Sequence, residues 1–159
     1  MFKNVVWATD GSAHADRALQ YAKQLLPGEG GTLHVTHIVE KLVGARVAGQ
    51  DAHLNEGEIE TKIEGQARAA EQEGLHVQRH VAVGHGGEIA RRIAEEAADV
   101  DADVIVVGTR GHSAVVAAVI GSVTQRLLHV AGCPVLAVPP PRDGSGRTET
   151  TADSVAAPS

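Results

Sequence analysis

The chain has 159 residues, 43% of them hydrophobic and 21% charged, the profile of one globular domain long enough to bury a core. A formal charge of −6 argues against a general nucleic-acid binder, which needs a basic footprint, and no apolar run approaches the ~20 residues that cross a bilayer. Aromatic residues make up only 2%, so the core falls to Val, Ile, Leu and Ala. The single cysteine, Cys133, excludes an internal disulfide, and with no signal-type leader before the first apolar run it points to a cytoplasmic protein.

Short β-branched runs alternate with helix-period segments. "NVVWA" (4–8) reads as a first strand. Ser12 is the N-cap of a helix over 12–26, with Ala15, Ala18, Leu19, Ala22, Leu25 and Leu26 on its inner face and Pro27-Gly28 as its stop. "TLHVTHIV" (32–39) is a second strand. Residues 40–57, with Gly44, Gly49 and Gly57, read as a loop or poorly ordered insertion. A second helix then carries Ile59, Ile63, Ala67 and Ala70 along one face and stops at Gly74.

"HVQRHVAV" (76–83) alternates as a half-exposed strand does, and "GHGG" opens a third helix whose stripe is Ile89, Ala90, Ile93, Ala94 and Ala97. "DVIVVG" (103–108) and "PVLAV" (134–138) are strands separated by a glycine-rich segment and a helix over 122–131. Residues 1–139 form the domain, and 140–159, rich in Pro, Gly, Ser and Thr, read as a disordered tail.

Five strands alternating with four helices predict an α/β fold, a doubly wound parallel sheet with helices on both faces. The wholly apolar runs at 5–8 and 104–107 belong at its centre, and those at 32–39 and 76–83 belong toward an edge. Ligands of such sheets bind beyond the carboxyl ends of the strands, where the winding reverses. If strands one and four are neighbours there, Thr9-Asp10-Gly11-Ser12 faces Gly108-Thr109-Arg110-Gly111.

Several chemistries fail on spacing. No Gly-Lys pair exists for a P-loop, and Ile89 stands where a dinucleotide fingerprint needs its third glycine. "DVDAD" (99–103) would start a calcium loop, but Val104 and Arg110 occupy the positions of its Gly and Glu. His76 and His80 share a strand face but stand about 13 Å apart, too far for one ion, and His34 and His37 point to opposite faces. Cys133 beside Pro134 reads as a small buried side chain rather than a redox centre.

The segment "GTRGHSAVVAAVIGS" (108–122) holds the chemistry. Gly108 lets a ligand approach the backbone, Gly111 permits a tight turn, and Gly121-Ser122 opens a helix. The unpaired N–H groups around Ser122, Val123 and Thr124 lie at the positive end of that helix and can hold phosphate without a cation, with the Ser122 and Thr124 hydroxyls as further donors. The nine residues between Gly111 and Gly121 could extend ~30 Å, so spacing alone does not bring the glycines together. "AVVAAVI" (114–120) packs on its own sheet or forms a dimer or partner contact.

The pattern G-x2-G-x9-G-[ST], met by Gly108, Gly111, Gly121 and Ser122, resembles the nucleotide-binding type of the universal stress protein family. "VVWATDGS", "ADVIVVGTRG" and "GSVTQRLLHVAGCPVLAV" match that family in order and placement, so the resemblance covers residues 1–139. It implies strand order 3-2-1-4-5, a homodimer through the last strand (134–138) and ATP as ligand. Thr9 and Asp10 would meet base and ribose, with Asp10 alternatively holding Mg2+, and Ile38 would lie under the adenine. Gly108, Gly111, Gly121, Ser122, Val123 and Thr124 would wrap ribose and phosphates, and Arg110 would reach a phosphate or stay solvated. The span between the glycines holds only His112 where the family often carries basic residues, which leaves AMP or a cyclic nucleotide as alternative ligands.

The expectation is therefore a nucleotide-binding stress module with no membrane or nucleic-acid partner. The alternatives are a slow ATPase or autophosphorylating enzyme, for which no general base stands out, and a structural dimer without nucleotide.

Overall fold

The computed structural model describes residues 2–40, 51–85, 87–110 and 120–141. Its elements follow in the order β1 (Asn4–Thr9), α1 (Ala13–Leu25), β2 (Thr32–Glu40), α2 (Asp51–Gln72), β3 (His76–Gly84), α3 (Gly87–Asp99), β4 (Val104–Gly108), α4 (Ser122–Val130) and β5 (Val135–Val138). Among the described residues the strands form one five-stranded sheet in the order β3-β2-β1-β4-β5, every pair parallel. The winding reverses between β1 and β4, which run side by side from Val5↔Val104 to Ala8↔Val107.

The two sheet faces bury two separate cores. Val5 and Trp7 of β1, Leu33 and Val35 of β2 and the stripes Ala18-Leu19-Ala22 of α1 and Ile63-Ala67-Ala70 of α2 fill one. Val6, Ala8, Ile105 and Val107 meet Ile89, Ala90, Ile93 and Ala97 of α3 and Leu127 of α4 in the other. Both come from the strand period of two, and each large buried aliphatic side chain contributes ~1.5–3 kcal/mol. The Trp7 indole N–H donates to the Ala15 carbonyl at 2.9 Å, which fixes α1 on β1. Cys133 is half-buried beside the second core, and burial pushes its thiol pKa up, away from reactivity.

The structure corrects one reading. Residues 51–57 are helical: α2 starts at Asp51, with Gly57 inside it, and only 41–50 of the expected insertion lie outside the described residues. A glycine costs a helix ~1 kcal/mol, and tertiary contacts of Glu56 and Ile59 override it. As expected, β2 and β3 lie toward one edge, with β2 next to the edge strand, and the polar residues His34, Thr36 and His37 of β2 are buried. Its mixed composition reflects a polar cluster rather than exposure. His34 and His37 do point to opposite faces: Glu56 of α2 stands 3.1 Å from His37, and His80 of β3 stands 3.4 Å from His34.

On the α3 side that cluster forms a chain. The Thr36 hydroxyl donates to Glu96 Oε1 at 2.6 Å, Glu96 lies 3.6 Å from His80 Nδ1, and His80 Nε2 faces His34 Nδ1. His34 Nε2 has no hydrogen-bond partner among the described residues. Burial, reinforced by the neighbouring His80, holds His34 below its ordinary 6.5. Burial raises Glu96, opposed by the Thr36 hydrogen bond and His80 and assisted by Asp99.

The two shifts have opposite consequences. His34 binds protons less readily folded than unfolded, so its contribution to stability is lost as pH falls below about 6.5. Glu96 binds them more readily folded, so its contribution is present near its ordinary 4.5 and lost as pH rises through its elevated folded value. Between pH 7.5 and 5.5 the His34 contribution lowers the melting temperature on acidification, so His34→Leu is expected to show a less positive slope of melting temperature against pH than the wild type in a calorimetric series. An unchanged slope refutes the assignment to His34.

Candidate functional site

Two turns lie past the carboxyl ends of β1 and β4, the lips of the crevice expected where a doubly wound sheet reverses. The β1–α1 turn builds itself from its own side chains. Thr9, fully buried, accepts the Gly11 N–H on Oγ1 at 3.1 Å, and Asp10, half-buried, accepts the Ser12 N–H on Oδ1 at 3.0 Å. Ser12 caps α1 as its sequence context predicts, accepting the Ala15 N–H at 3.3 Å, an arrangement worth ~1 kcal/mol. Gly11 takes φ +79°, the left-handed region that disfavours any Cβ.

The other lip is knitted from the two ends of the glycine segment. The Gly121 N–H donates to the Thr109 carbonyl at 2.7 Å, and the Thr124 hydroxyl donates to the Gly108 carbonyl at 2.8 Å. Residues that could stand ~30 Å apart by chain length are thus in contact. Gly121 is the N-cap of α4, where no side-chain cap is present and no acidic residue occupies the first turn. Backbone donors therefore concentrate at the positive end of the helix dipole, beside the β1/β4 reversal.

The sequence-derived site residues divide accordingly. Thr9 and Asp10 lie at the end of β1 and its turn, and Gly108, Gly121, Ser122, Val123 and Thr124 lie at the end of β4 and the start of α4, with Val123 packed against the second core. Ile38 stands near the carboxyl end of β2, half-buried against the second core and paired with Ala82 of β3. Arg110 is half-buried just past β4. Gly111, with 112–119 and most of "AVVAAVI", lies outside the described residues.

Two residues have a structural task besides the one read from sequence. A Cβ on Gly108 would stand 3.1 Å from the carbonyl carbon and oxygen of His14, so this glycine lets the first turn of α1 sit against the end of β4. Thr124 is buried with its hydroxyl proton committed to Gly108, so it shapes the lip. Ser122, exposed at the first turn, keeps its hydroxyl at the surface.

The sequence reading missed what α2 brings to the first lip. A Cβ on Gly11 would stand 2.5 Å from Ile59 Cγ2, and Lys62 Nζ donates to the Gly11 carbonyl at 2.8 Å. Ile59 was visible as a core residue; nothing in the helical pattern tells where along β1 it docks. Gly11→Ala is expected to destabilise by more than the ~1–2 kcal/mol of left-handed strain alone. Introduced into an Ile59→Ala background, the same substitution should cost only the strain, read from the denaturant midpoints of the wild type, both single variants and the double variant; no cost in that background would mean that the backbone is not strained.

The comparisons agree with this architecture. The model of the family described as "Universal stress protein family" matches residues 1–139. A universal stress protein encoded in the QAH/OAS sulfhydrylase 3′ region of Thermus aquaticus is 35% identical over 140 residues, covering 87% of this chain and 99% of its own. Among solved structures, hypothetical protein MJ0577 superposes with a TM-score of 0.74 at 24% identity, over 90% of this chain and 99% of that one. A universal stress protein in complex with cAMP superposes at 0.58 and 24% identity, over 86% and 97%. With its parallel sheet in the order 3-2-1-4-5, this chain belongs to the universal stress protein family.

Proposed function

We propose that the protein is an ATP-binding regulatory module of the stress response, dimeric through β5, whose conformation or choice of partner follows the bound nucleotide. One observation carries this reading: the uncapped amino end of α4 is held by Gly121–Thr109 and Thr124–Gly108 at the point where the sheet reverses. That position suits an anion bound by peptide N–H groups. The solved universal stress protein bound to cAMP supports an adenine nucleotide as the ligand class.

In this reading Ser122 and Val123 present backbone donors to the phosphates, with Gly121 and Thr124 shaping their turn and Gly108 and Gly111 leaving room for ribose and phosphate. Asp10 meets the ribose hydroxyls or the Mg2+ that accompanies a triphosphate, Thr9 steadies the turn beneath it, Ile38 lies against the adenine, and Arg110 faces the phosphates. The dimer reading draws on β5, which borders the sheet with Leu136 36% exposed, and on Leu128 and Val130 of α4, each 50% exposed. Such apolar exposure suits a partner surface.

The test is direct. Denature the purified protein, identify any released nucleotide, then titrate ATP, ADP, AMP and cAMP by calorimetry. Retained or titratable ATP without turnover supports the module, turnover abolished by Asp10→Ala supports a slow ATPase, and no binding at millimolar ligand ends the nucleotide reading. Light scattering at the same concentrations reads the dimer as twice the chain mass. Gly121→Val is expected to abolish ATP binding, because its side chain would crowd the donors of α4. Its φ of −58° tolerates any L residue, so the melting temperature should move by only a few degrees. Unchanged ATP affinity in Gly121→Val refutes the phosphate placement.

A further inference from the structure

Lys62 approaches the candidate site from outside the segments that define it. Its ammonium donates to the Gly11 carbonyl at 2.8 Å and pairs with Asp16 Oδ2 at 2.6 Å, while Gln66 Nε2 donates to Asp16 Oδ1 at 2.8 Å. Ile59 fills the space that Gly11 leaves without a side chain, and Glu56 Oε1 lies 3.1 Å from His37 Nε2, close but off the hydrogen-bonding direction. Residues 56, 59, 62 and 66 fall on one helical face, so a single stripe of α2 meets β2 through Glu56, the β1–α1 turn through Ile59 and Lys62, and the first turn of α1 through Lys62 and Gln66.

The Gly11 carbonyl and the Ser12 N–H belong to one planar peptide unit. Lys62 holds its oxygen end, and Asp10 Oδ1 accepts its hydrogen end at 3.0 Å. An ammonium on the carbonyl polarises the peptide and strengthens donation from the N–H, as linked hydrogen bonds do. The peptide therefore couples a cation on α2 to the orientation of the carboxylate at the crevice.

We propose that Lys62 is a positioning residue of the nucleotide site: acting through the Gly11–Ser12 peptide, it fixes the Asp10 carboxylate and makes α2 respond to occupancy of the crevice. This rests on the nucleotide-binding reading above. Asp16 restricts the ammonium to this geometry, but the group that transmits is the Gly11 carbonyl, so Asp16 is secondary.

The experiment titrates ATP into the wild type, Lys62→Met, Lys62→Arg and Asp16→Asn, and follows the Ser12 amide by hydrogen exchange in each. Lys62→Met is expected to weaken ATP binding about tenfold, the size of one charge-assisted hydrogen bond. Lys62→Arg should restore most of that loss, and Asp16→Asn, which keeps an ammonium on Gly11, should cost less than Lys62→Met. The Ser12 amide should exchange faster in Lys62→Met while amides around Ile63 and Ala67 stay protected, a pattern that general loosening of α2 does not produce. In the wild type, ATP should slow exchange of the Ser12 amide and of the α2 turn around Ile59 and Lys62. A wild type that binds while Lys62→Met binds equally tightly overturns the role of Lys62 alone. A wild type that binds no ATP removes the nucleotide reading, and this proposal with it.

Discussion

The hydrogen bond from Thr124 to the Gly108 carbonyl is the constraint on which the crevice depends. It ties the first turn of α4 to the last residue of β4, across a span of sequence long enough to let the two drift far apart. Gly121–Thr109 repeats the tie one peptide outward. Because β4 is paired to β1, and because His14 packs on Gly108 where a side chain would stand, the same contacts place the β1–α1 turn opposite α4. A helix terminus alone attracts an anion by only ~0.3–1 kcal/mol at an exposed site. What makes this terminus a candidate site is that β4, to which it is tied, also packs at Gly108 against the start of α1, whose turn is held by its own hydrogen bonds.

Most of the fold was legible because its signals are local and repeated. The stripes of α1 and α3, the wholly apolar β1 and β4, and the Ser12 cap each follow from one period or one short motif, and all agree with the structure. The start of α2 was not legible: Gly57 suggested a break, and the contacts that outweigh it come from β2 and the β1–α1 turn. The burial of His34, Thr36 and His37 was hidden for a related reason. A polar residue in a strand signals exposure unless its partner is known, and His80 and Glu96 are far off in sequence.

The elements that carry the candidate residues were legible; the structural tasks of those residues were not. The glycine spacing singled out Gly108 and Gly121, but the packing of His14 and the destination of the Thr124 hydroxyl exist only across elements. Threonine at that position reads as a ligand donor from sequence; in the structure its proton is already committed, and its place in the site is architectural. The reverse holds for Lys62, which sits beside the core stripe of an amphipathic helix and carries no sign of the carbonyl that it reaches.

The first lip has no part that serves binding alone. Thr9, Asp10 and Ser12 each accept a backbone N–H of their own turn, so the groups nearest the crevice are also those that shape it. A ligand drawing on Asp10 therefore competes with, or reinforces, a bond that also sets the start of α1, and α1 is joined through Asp16 to Lys62 and Gln66 of α2. Rigid interiors pass such shifts on rather than absorbing them. If the proposed nucleotide binds at this lip, the contacts of Asp16 with Lys62 and Gln66 offer a route from it to α2. A regulatory module would need such a route, and an enzyme whose output is a released product could do without it.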